Sequence, residues 1–361
     1  MEKKYSLITG SCGFMGTHMV EILHTSGYKI LATDLESSYI KDDREKGRFP
    51  SVLKNLNIEF IPADLTKKED IINVIKGKEI EYVFHIASLF DYSAPAELLN
   101  KINIDGTKNL CEALIENGKI KKFILWGAGG IYGIPIPEFL PIDEDKHPKN
   151  PPNNYLKSKW EQEKLVIEFA QKYNFPYAVL RPTTVYGPRN VYGTFPILKG
   201  MVEGKVISIP KSFDFTVPFI HVEDVCRSAL YMAKNDNCNN KSYNLVDDSN
   251  MTLLDFAKFM SEEYNKKLKL LPKIPIGLLK KLAYFGATIM ELWCKCISHK
   301  KPLLEKDTIC YLGCDFKYSN QRLKDIGYKF VYPSVKQGIK DTVKWYIDNK
   351  WLKVNSTGKI D

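Results

Sequence analysis

Residues 5–16 read Tyr5-Ser6-Leu7-Ile8-Thr9-Gly10-Ser11-Cys12-Gly13-Phe14-Met15-Gly16, and an amphipathic run follows to Ser26. Tyr5 to Thr9 is a short apolar strand, the glycines make a turn, and the amphipathic run is a helix. A glycine motif gains meaning only in such a strand–turn–helix context. Gly10 permits the tight turn, Gly13 lets backbone approach a pyrophosphate, and Gly16 lets helix and strand pack closely. The helix start offers unpaired N–H groups to an anion. The spacing is G-x-x-G-x-x-G rather than G-x-G-x-x-G.

The next strand, Lys29 to Thr33, ends in Asp34. A carboxylate roughly twenty residues past the loop holds ribose hydroxyls in dinucleotide sites. Leu35 and Glu36 follow it, with no Arg, so a 2′-phosphate would meet negative charge. NAD is therefore expected rather than NADP. Strand-like runs recur at Ile58–Ile61, Tyr82–Ile86, Phe123–Trp126, Tyr177–Leu180 and Val217–His221. Helical patterns fall at Lys68–Lys76, Pro95–Asn117, Asn154–Tyr173 and Phe195–Glu203. Apolar strands alternating with helices imply an α/β fold with a doubly wound parallel sheet.

The 361 residues allow one large domain or two of moderate size. With 44% hydrophobic and 26% charged residues the chain has the composition of a soluble globular protein. The net charge of +9 comes from scattered lysines, without a basic run interleaved with aromatics, so no nucleic-acid partner is expected. Tyr5 opens a strand so early that a secretory apolar segment has no room, which predicts a cytoplasmic protein. Of eight cysteines, Cys12, Cys111 and Cys226 fall in packed segments. Cys294, Cys296, Cys310 and Cys314 form a local group, but structural zinc favours tighter C-x-x-C pairs, so no metal is assigned to them.

After the Pro151-Pro152 break, Asn153 is a good cap for a helix that carries Tyr155 and Lys159. Four apart, the two share one helix face. A phenol is a poor base at neutral pH, but an ammonium beside it favours the phenolate and makes it usable as an acid/base.

Taken in order, these pieces resemble the extended short-chain dehydrogenases/reductases, which include nucleotide-sugar epimerases and dehydratases and hydroxysteroid dehydrogenases. Thr9-Gly10-x-x-Gly13-Phe14-x-Gly16, Asp34, Asp64-Leu65, His85-Ile86-Ala87-Ser88 and Asn103-x-x-Gly106-Thr107-x-Asn109 match family segments. So do Tyr155 with Lys159, Arg181-Pro182, Val185-Tyr186-Gly187-Pro188-Arg189, Phe219–Val225 and Tyr243-Asn244-Leu245. The resemblance implies a Rossmann-type sheet with a smaller, mostly C-terminal substrate-binding region. Residues 1–182 would hold NAD, with 216–247 returning to that domain, while 183–215 and 248–361 would bind the small-molecule substrate. It further implies Tyr155 and Lys159 as the catalytic pair. Cofactor contacts would come from Gly10, Cys12, Gly13, Phe14, Met15, Gly16, Asp34, Asp64, Leu65, Ala87, Asn103, Tyr155, Lys159 and Pro182. A homodimer through the helices Pro95–Asn117 and Asn154–Tyr173 is also implied.

Two departures stand out. In the family, a Ser or Thr sits three residues before a Val-Tyr-Gly; here Ala128 occupies that place, ahead of Ile131-Tyr132-Gly133. Thr183 and Thr184 are the replacements that family position suggests. Nucleotide-sugar members also place an Arg-Asp before the Phe-Ile-His-Val-like segment, where this chain has Val217-Pro218. A diphosphate would lose its bidentate partner there unless Arg189 or Lys199 compensated. Ile274 to Ile297 is largely apolar, interrupted by Lys280, Lys281, Glu291 and Lys295. It suits a substrate lid or an interfacial helix, predicting contact with a membrane surface, or else a helix packed on the smaller domain. The leading expectation is NAD-dependent hydride transfer at a secondary alcohol or ketone of a sterol- or lipid-like substrate. The alternatives are a nucleotide-sugar epimerase/dehydratase and a catalytically weak NAD-binding regulatory protein.

Overall fold

In the computed structural model, residues 4–293 and 306–353 are described. The strands are β1 (Tyr5–Thr9), β2 (Lys29–Thr33), β3 (Glu59–Phe60), β4 (Ile80–His85), β5 (Lys122–Trp126) and β6 (Tyr177–Pro182). They continue as β7 (Thr184–Tyr186), β8 (Val206–Pro210), β9 (Phe219–His221), β10 (Lys241–Leu245) and β11 (Lys267–Leu271). Seven of them form one sheet in the order β10-β6-β5-β4-β1-β2-β3. Every pairing in it is parallel.

Alternate residues of each strand feed two separate cores, as the period of two requires. Leu7, Val83, Phe123, Leu125 and Val179 enter one, which the helices Lys68–Ile75, Gly106–Asn117 and Asn154–Tyr173 cover. Ile8, Phe84, Ile124, Trp126 and Leu180 enter the other, covered by Phe14–Thr25 and Val222–Lys234. Burial on both faces is why these strands read as continuous apolar runs. A third core gathers Leu198, Ile207, Phe219, Phe256, Ile339 and Tyr346 around two-stranded ribbons, β7 with β9 and β8 with β11.

Three expectations change in detail. The run Val217–His221 does not extend the main sheet; its β9 pairs with β7. The seventh place goes to β10, whose polar Lys241-Ser242-Tyr243-Asn244-Leu245 hides a buried strand. Its buried Asn244 is satisfied by Tyr132 Oη, which donates at 2.8 Å, and by the Ile142 carbonyl, to which it donates at 3.1 Å. The single helix expected over Pro95–Asn117 is continuous but not uniform. Ala96–Leu99 and Gly106–Asn117 are α, and Asn100–Asp105 between them is a π-helical turn.

β6, β10 and the helix Asn154–Tyr173 are bolted by one buried ion pair. Arg181 donates to Glu163 through Nε at 3.2 Å and through NH2 at 2.6 Å. Arg181 is 4% exposed and Glu163 0%. Tyr132 Oη and the Glu144 carbonyl take NH1, and Ser242 Oγ donates to Glu163. Removing one partner strands the other charge in the interior. Glu163→Gln is expected to cost about 3–5 kcal/mol in denaturant unfolding, and Arg181→Met with Glu163→Leu to cost clearly less. Equal losses in the single and double variants would contradict this account.

Candidate active site

Chain order leaves the sheet outward from β1 through β2 to β3, then resumes with β4 on the other side of β1. At such a reversal the carboxyl ends of neighbouring strands open a crevice for ligands. The glycine loop after β1 and the Ala87-Ser88 segment after β4 face each other there. A Cβ on Gly10, whose φ is +68°, would lie 2.8 Å from the Ala87 backbone. One on Gly16 would meet the Gly10 carbonyl at 2.1 Å. Gly13 is open by comparison, its added carbon touching only the Gly10 carbonyl at 3.4 Å. The loop therefore presents bare backbone outward, together with the first-turn N–H groups of Phe14, Met15 and Gly16. The Cys12 side chain is buried in the core, while its N–H donates to Asp34 Oδ2 at 3.0 Å. Leu35 N–H donates to Oδ1 at 2.8 Å. Burial pushes the Asp34 carboxyl up from its ordinary value, and these two N–H groups pull it back. A bare anion cradle and a backbone-held carboxylate at the next strand end fit a dinucleotide.

Asp64 and Leu65 follow β3. Asp64 Oδ1 accepts from Thr66, and the Leu65 carbonyl accepts from Asn109 Nδ2 at 2.9 Å. Pro182 ends β6, its carbonyl 3.0 Å from where a Gly129 Cβ would be.

Behind the loop lies a buried polar relay. Ala87 N–H donates to Thr9 Oγ1 at 3.2 Å, and Thr9 Oγ1 lies 2.8 Å from His85 Nδ1. His85 Nε2 lies 2.8 Å from Thr107 Oγ1, which donates to the Asn103 carbonyl at 2.6 Å. Thr107 spends its single proton on Asn103, so donor accounting assigns His85 the Nε2–H tautomer, with Nδ1 accepting from Thr9. Burial, then the charge of Lys159, lower its pKa to about 3, so the ring is neutral. Gln162 Nε2 donates to Thr107 Oγ1 at 2.7 Å, and Gln162 Oε1 accepts from Lys159 Nζ at 2.5 Å.

Asn103 sits in the π-helical turn, fully buried. Its Oδ1 accepts from Leu89 N–H at 2.7 Å and Ser88 Oγ at 3.2 Å. Its Nδ2 donates to Ser158 Oγ at 2.9 Å and to the Leu89 carbonyl at 3.4 Å. Ser158 in turn donates to the Tyr155 carbonyl. Every hydrogen-bonding position of that amide is taken by protein, so Asn103 fastens the Ser88-Leu89 strand end to the helix instead of reaching into the crevice.

Tyr155 and Lys159 do share one buried helix face, at 7% and 2% exposure. Their partners differ from expectation. The Tyr155 ring is boxed by Phe90 and Tyr92, and burial, then Tyr92, hold its phenol well above the ordinary value. Lys159 is turned to Gln162, and burial lowers its pKa to about 7 against a small opposing effect of Glu163. Sequence reasoning missed Gln162. Gln162 lies three residues past Lys159 on the same face, and that spacing was its signal.

Three further expectations meet the structure here. Thr183 Oγ1 is committed to the Leu245 carbonyl at 2.9 Å, and Thr184 belongs to the β7–β9 ribbon. Arg189 is ion-paired with Glu21, NH1 to Oε1 at 3.1 Å, and Lys199 lies 3.9 Å from Glu203. Cys294 and Cys296 lie outside the described residues, among which there is no group of three or more metal-ligating side chains.

The lowered Lys159 implies a pH-dependent stability. In the unfolded chain this amine holds its proton up to about 10.5, whereas in the fold it releases it at about 7. The unfolded state therefore binds more protons between those values, and stability without NAD should climb as pH rises through that window. Lys159→Met is expected to melt at a higher temperature at pH 7 without NAD and to lose this climb, even though Gln162 Oε1 gives up a donor. Calorimetry across the window checks both; a lower melting temperature would contradict the assignment.

The chain matches the model of the NAD dependent epimerase/dehydratase family over residues 6–245. It is 24% identical over 355 residues to 3beta-hydroxysteroid-dehydrogenase/decarboxylase isoform 1 of Arabidopsis thaliana, covering 94% of this chain and 79% of that protein. It is also 24% identical over 277 residues to an N-acetyl-alpha-D-glucosaminyl-diphospho-ditrans,octacis-undecaprenol 4-epimerase of Escherichia coli O157:H7, covering 76% of each. Among solved structures it is similar to the UDP-glucose 4-epimerase of Thermotoga maritima, with a TM-score of 0.71 and 22% identity. That likeness spans 96% of this chain and 99% of the other, and it shows the shared fold. With NAD as the cofactor of the matched family, this chain belongs to the NAD-dependent epimerase/dehydratase family of extended short-chain dehydrogenases/reductases.

Proposed function

We propose that this protein oxidises a secondary alcohol on an apolar, sterol-like substrate, or reduces the matching ketone, with NAD. The observation that carries the reading is the aromatic wall around Tyr155. Phe90 and Tyr92 stand edge-on to its ring at centroid distances of 5.1 and 5.2 Å, and Tyr192 continues the wall from Phe90 at 5.9 Å. Leu89 and Tyr311 close the same cluster. Such a surface favours a fused apolar ring system over a sugar, whose hydroxyls would lose their partners. Two further points support it. Val217-Pro218 offers no guanidinium to a diphosphate, and Arg189 is already engaged by Glu21. The Arabidopsis relative, named for a hydroxysteroid, aligns along nearly the whole chain.

In this reading residues 1–182 with 216–247 carry NAD, and 183–215 with 248–361 bound the substrate. Gly10, Gly13 and Gly16 shape the pyrophosphate cradle, and Asp34 holds the adenosine ribose. Tyr155 exchanges the proton of the substrate hydroxyl. Lys159, kept buried on Gln162, holds the nicotinamide ribose. NAD, when bound, supplies the hydride acceptor. A nucleotide-sugar epimerase is the second reading, favoured by the Escherichia coli relative, whose substrate by name is a lipid-linked diphospho-sugar.

Native protein with NAD and a 3β-hydroxysterol is expected to accumulate NADH, and Tyr155→Phe to abolish this while calorimetry finds NAD affinity nearly intact. Epimer formation from UDP-sugars without net NADH, and no response to sterols, would move the assignment to the second reading.

The helix Ile276–Trp293 bears on substrate delivery. Leu278, Leu282, Phe285 and Ile289 form one stripe along it and are 49%, 57%, 68% and 53% exposed. Lys273 and Lys281 are exposed beside it. No helix among the described residues is long and apolar enough to cross a membrane. An exposed apolar stripe edged with lysines suits the surface of an anionic bilayer, and we assign the helix that role. Co-sedimentation with phosphatidylserine-containing vesicles at low salt is expected, and its loss in Leu282→Glu/Phe285→Glu. Native protein left in the supernatant would refute it.

A further inference from the structure

The loop after β2 and the segment after β7 meet beside the glycine loop. Residues 43–48 close on themselves, Asp43 N–H donating to the Arg48 carbonyl at 2.9 Å and Arg48 N–H to the Asp43 carbonyl at 3.0 Å. Arg48 lies opposite Gly13 in an antiparallel bridge, and Phe49 N–H donates to the Cys12 carbonyl at 2.8 Å. Arg44 lies over the Trp351 ring at 3.9 Å and donates to the Trp351 carbonyl at 3.1 Å. This loop is therefore fixed both to the anion cradle and to the third core, on which Trp351 packs. The segment after β7 is held as firmly. His18 Nε2 donates to the Pro188 carbonyl at 2.8 Å and Arg189 pairs with Glu21, so the helix Phe14–Thr25 grips it. Tyr346 Oη adds contacts to the Gly187 carbonyl at 2.9 Å and the Asn190 carbonyl at 3.1 Å.

Between these two anchored pieces stands the half-buried side chain of Tyr192. Its hydroxyl donates to the Lys46 carbonyl at 3.1 Å, at the surface. A Cβ on Gly47, whose φ is +63°, would lie 3.0 Å from Val191 Cγ2 and 3.3 Å from Tyr192 Cε2, so glycine lets the two pieces approach. The same tyrosine ring lies 5.9 Å from that of Phe90, which stands against Tyr155. Contacts thus run without a gap from Gly13 through Arg48, Lys46-Gly47, Tyr192 and Phe90 to Tyr155. A dinucleotide with its pyrophosphate at Gly13 and its nicotinamide at Tyr155 has the same two ends.

We propose that Tyr192 is a clasp across the crevice, which closes over NAD and must let go for the cofactor to enter or leave. The proposal rests on NAD lying along the crevice as assigned above. Both feet of the strap are anchored, whereas the clasp is one exposed hydrogen bond and one tilted ring contact. It opens by turning a single side chain. Gly193 beside it is exposed, and a Cβ there would meet nothing within 4 Å, so the chain next to the ring is uncrowded. A clasp that closes equally with and without NAD leaves the affinity alone and slows entry and release by one factor. A direct contact with the ligand, by contrast, slows release alone.

The test compares native protein, Tyr192→Phe and Tyr192→Ala by stopped-flow fluorescence of NADH. Release is followed by mixing NADH-loaded protein with excess NAD, entry by mixing free protein with NADH, and affinity by calorimetry. Tyr192→Phe, which loses only the hydrogen bond, is expected to speed entry and release alike by roughly threefold to tenfold. Tyr192→Ala, which loses the ring contact as well, should speed both by roughly tenfold to a hundredfold. The affinity of each variant should stay close to native. If Tyr192→Ala does not fold, Tyr192→Phe, which keeps the ring, decides. Native rates in Tyr192→Phe, or faster release with an unchanged rate of entry, would overturn the clasp alone. A native protein that binds neither NADH nor NAD would instead overturn the assignment of the crevice, and the clasp with it.

Discussion

A neutral imidazole buried at the end of β4 holds the crevice in register. His85 takes a proton from Thr9 at one nitrogen and gives one to Thr107 at the other, and Gln162 carries the chain on to Lys159. Four elements meet in that line: the ends of β1 and β4, the helix Gly106–Asn117 and the helix Asn154–Tyr173. These bonds lie in the interior, so a shift of any element would strand a polar group there, at about 1–3 kcal/mol per group. A protonated His85 would break the line at Nδ1, because Thr9 would then face a second donor. The low pKa that burial imposes keeps the relay in its one workable tautomer.

The π-helical turn at Asn100–Asp105 adds a second constraint. A π turn holds more residues than an α turn and so rotates a side chain relative to its neighbours. Here Asn103 points inward and closes a square of four bonds with Ser88, Leu89 and Ser158. That square fixes the start of the segment carrying Phe90 and Tyr92, and thus the wall against Tyr155. Backbone irregularity, polar satisfaction and the shape of the apolar pocket are one arrangement seen at three scales.

The central sheet was legible because doubly buried parallel strands must be apolar, and Leu7-Ile8 or Phe123-Ile124-Leu125 can be little else. The anion loop was legible because Gly10 and Gly16 admit no side chain. β10 was not, since Ser242 and Asn244 are polar for reasons that lie elsewhere, on Glu163 and Tyr132. Val217–His221 misled in the opposite sense: Phe219 is apolar because it enters the third core and Ile220 because it packs on the main sheet's core, yet the strand pairs with β7. At the site, helical spacing put Tyr155 and Lys159 on one face, but spacing says nothing about what a side chain meets there. Lys159 turns to Gln162, and Tyr155 meets the rings of Phe90 and Tyr92, which come from the segment after another strand.

Burial acts on the two central groups with opposite sign and the same outcome. It raises the Tyr155 phenol and lowers the Lys159 amine, so both are driven towards their neutral forms. The rings of Phe90 and Tyr92 that stand against Tyr155 also deepen this desolvation. Groups so deeply buried feel any charge brought beside them strongly, because little solvent lies near to screen it. A positive charge near Tyr155 eases its ionisation, and a negative charge near Lys159 restores the ammonium. The chain therefore leaves Tyr155 and Lys159 inclined to neutrality on their own and sensitive to whatever ligand charge enters the crevice. What it does supply beforehand is geometry: a phenol boxed by two aromatic rings, and an amine held by an amide that is itself anchored on Thr107.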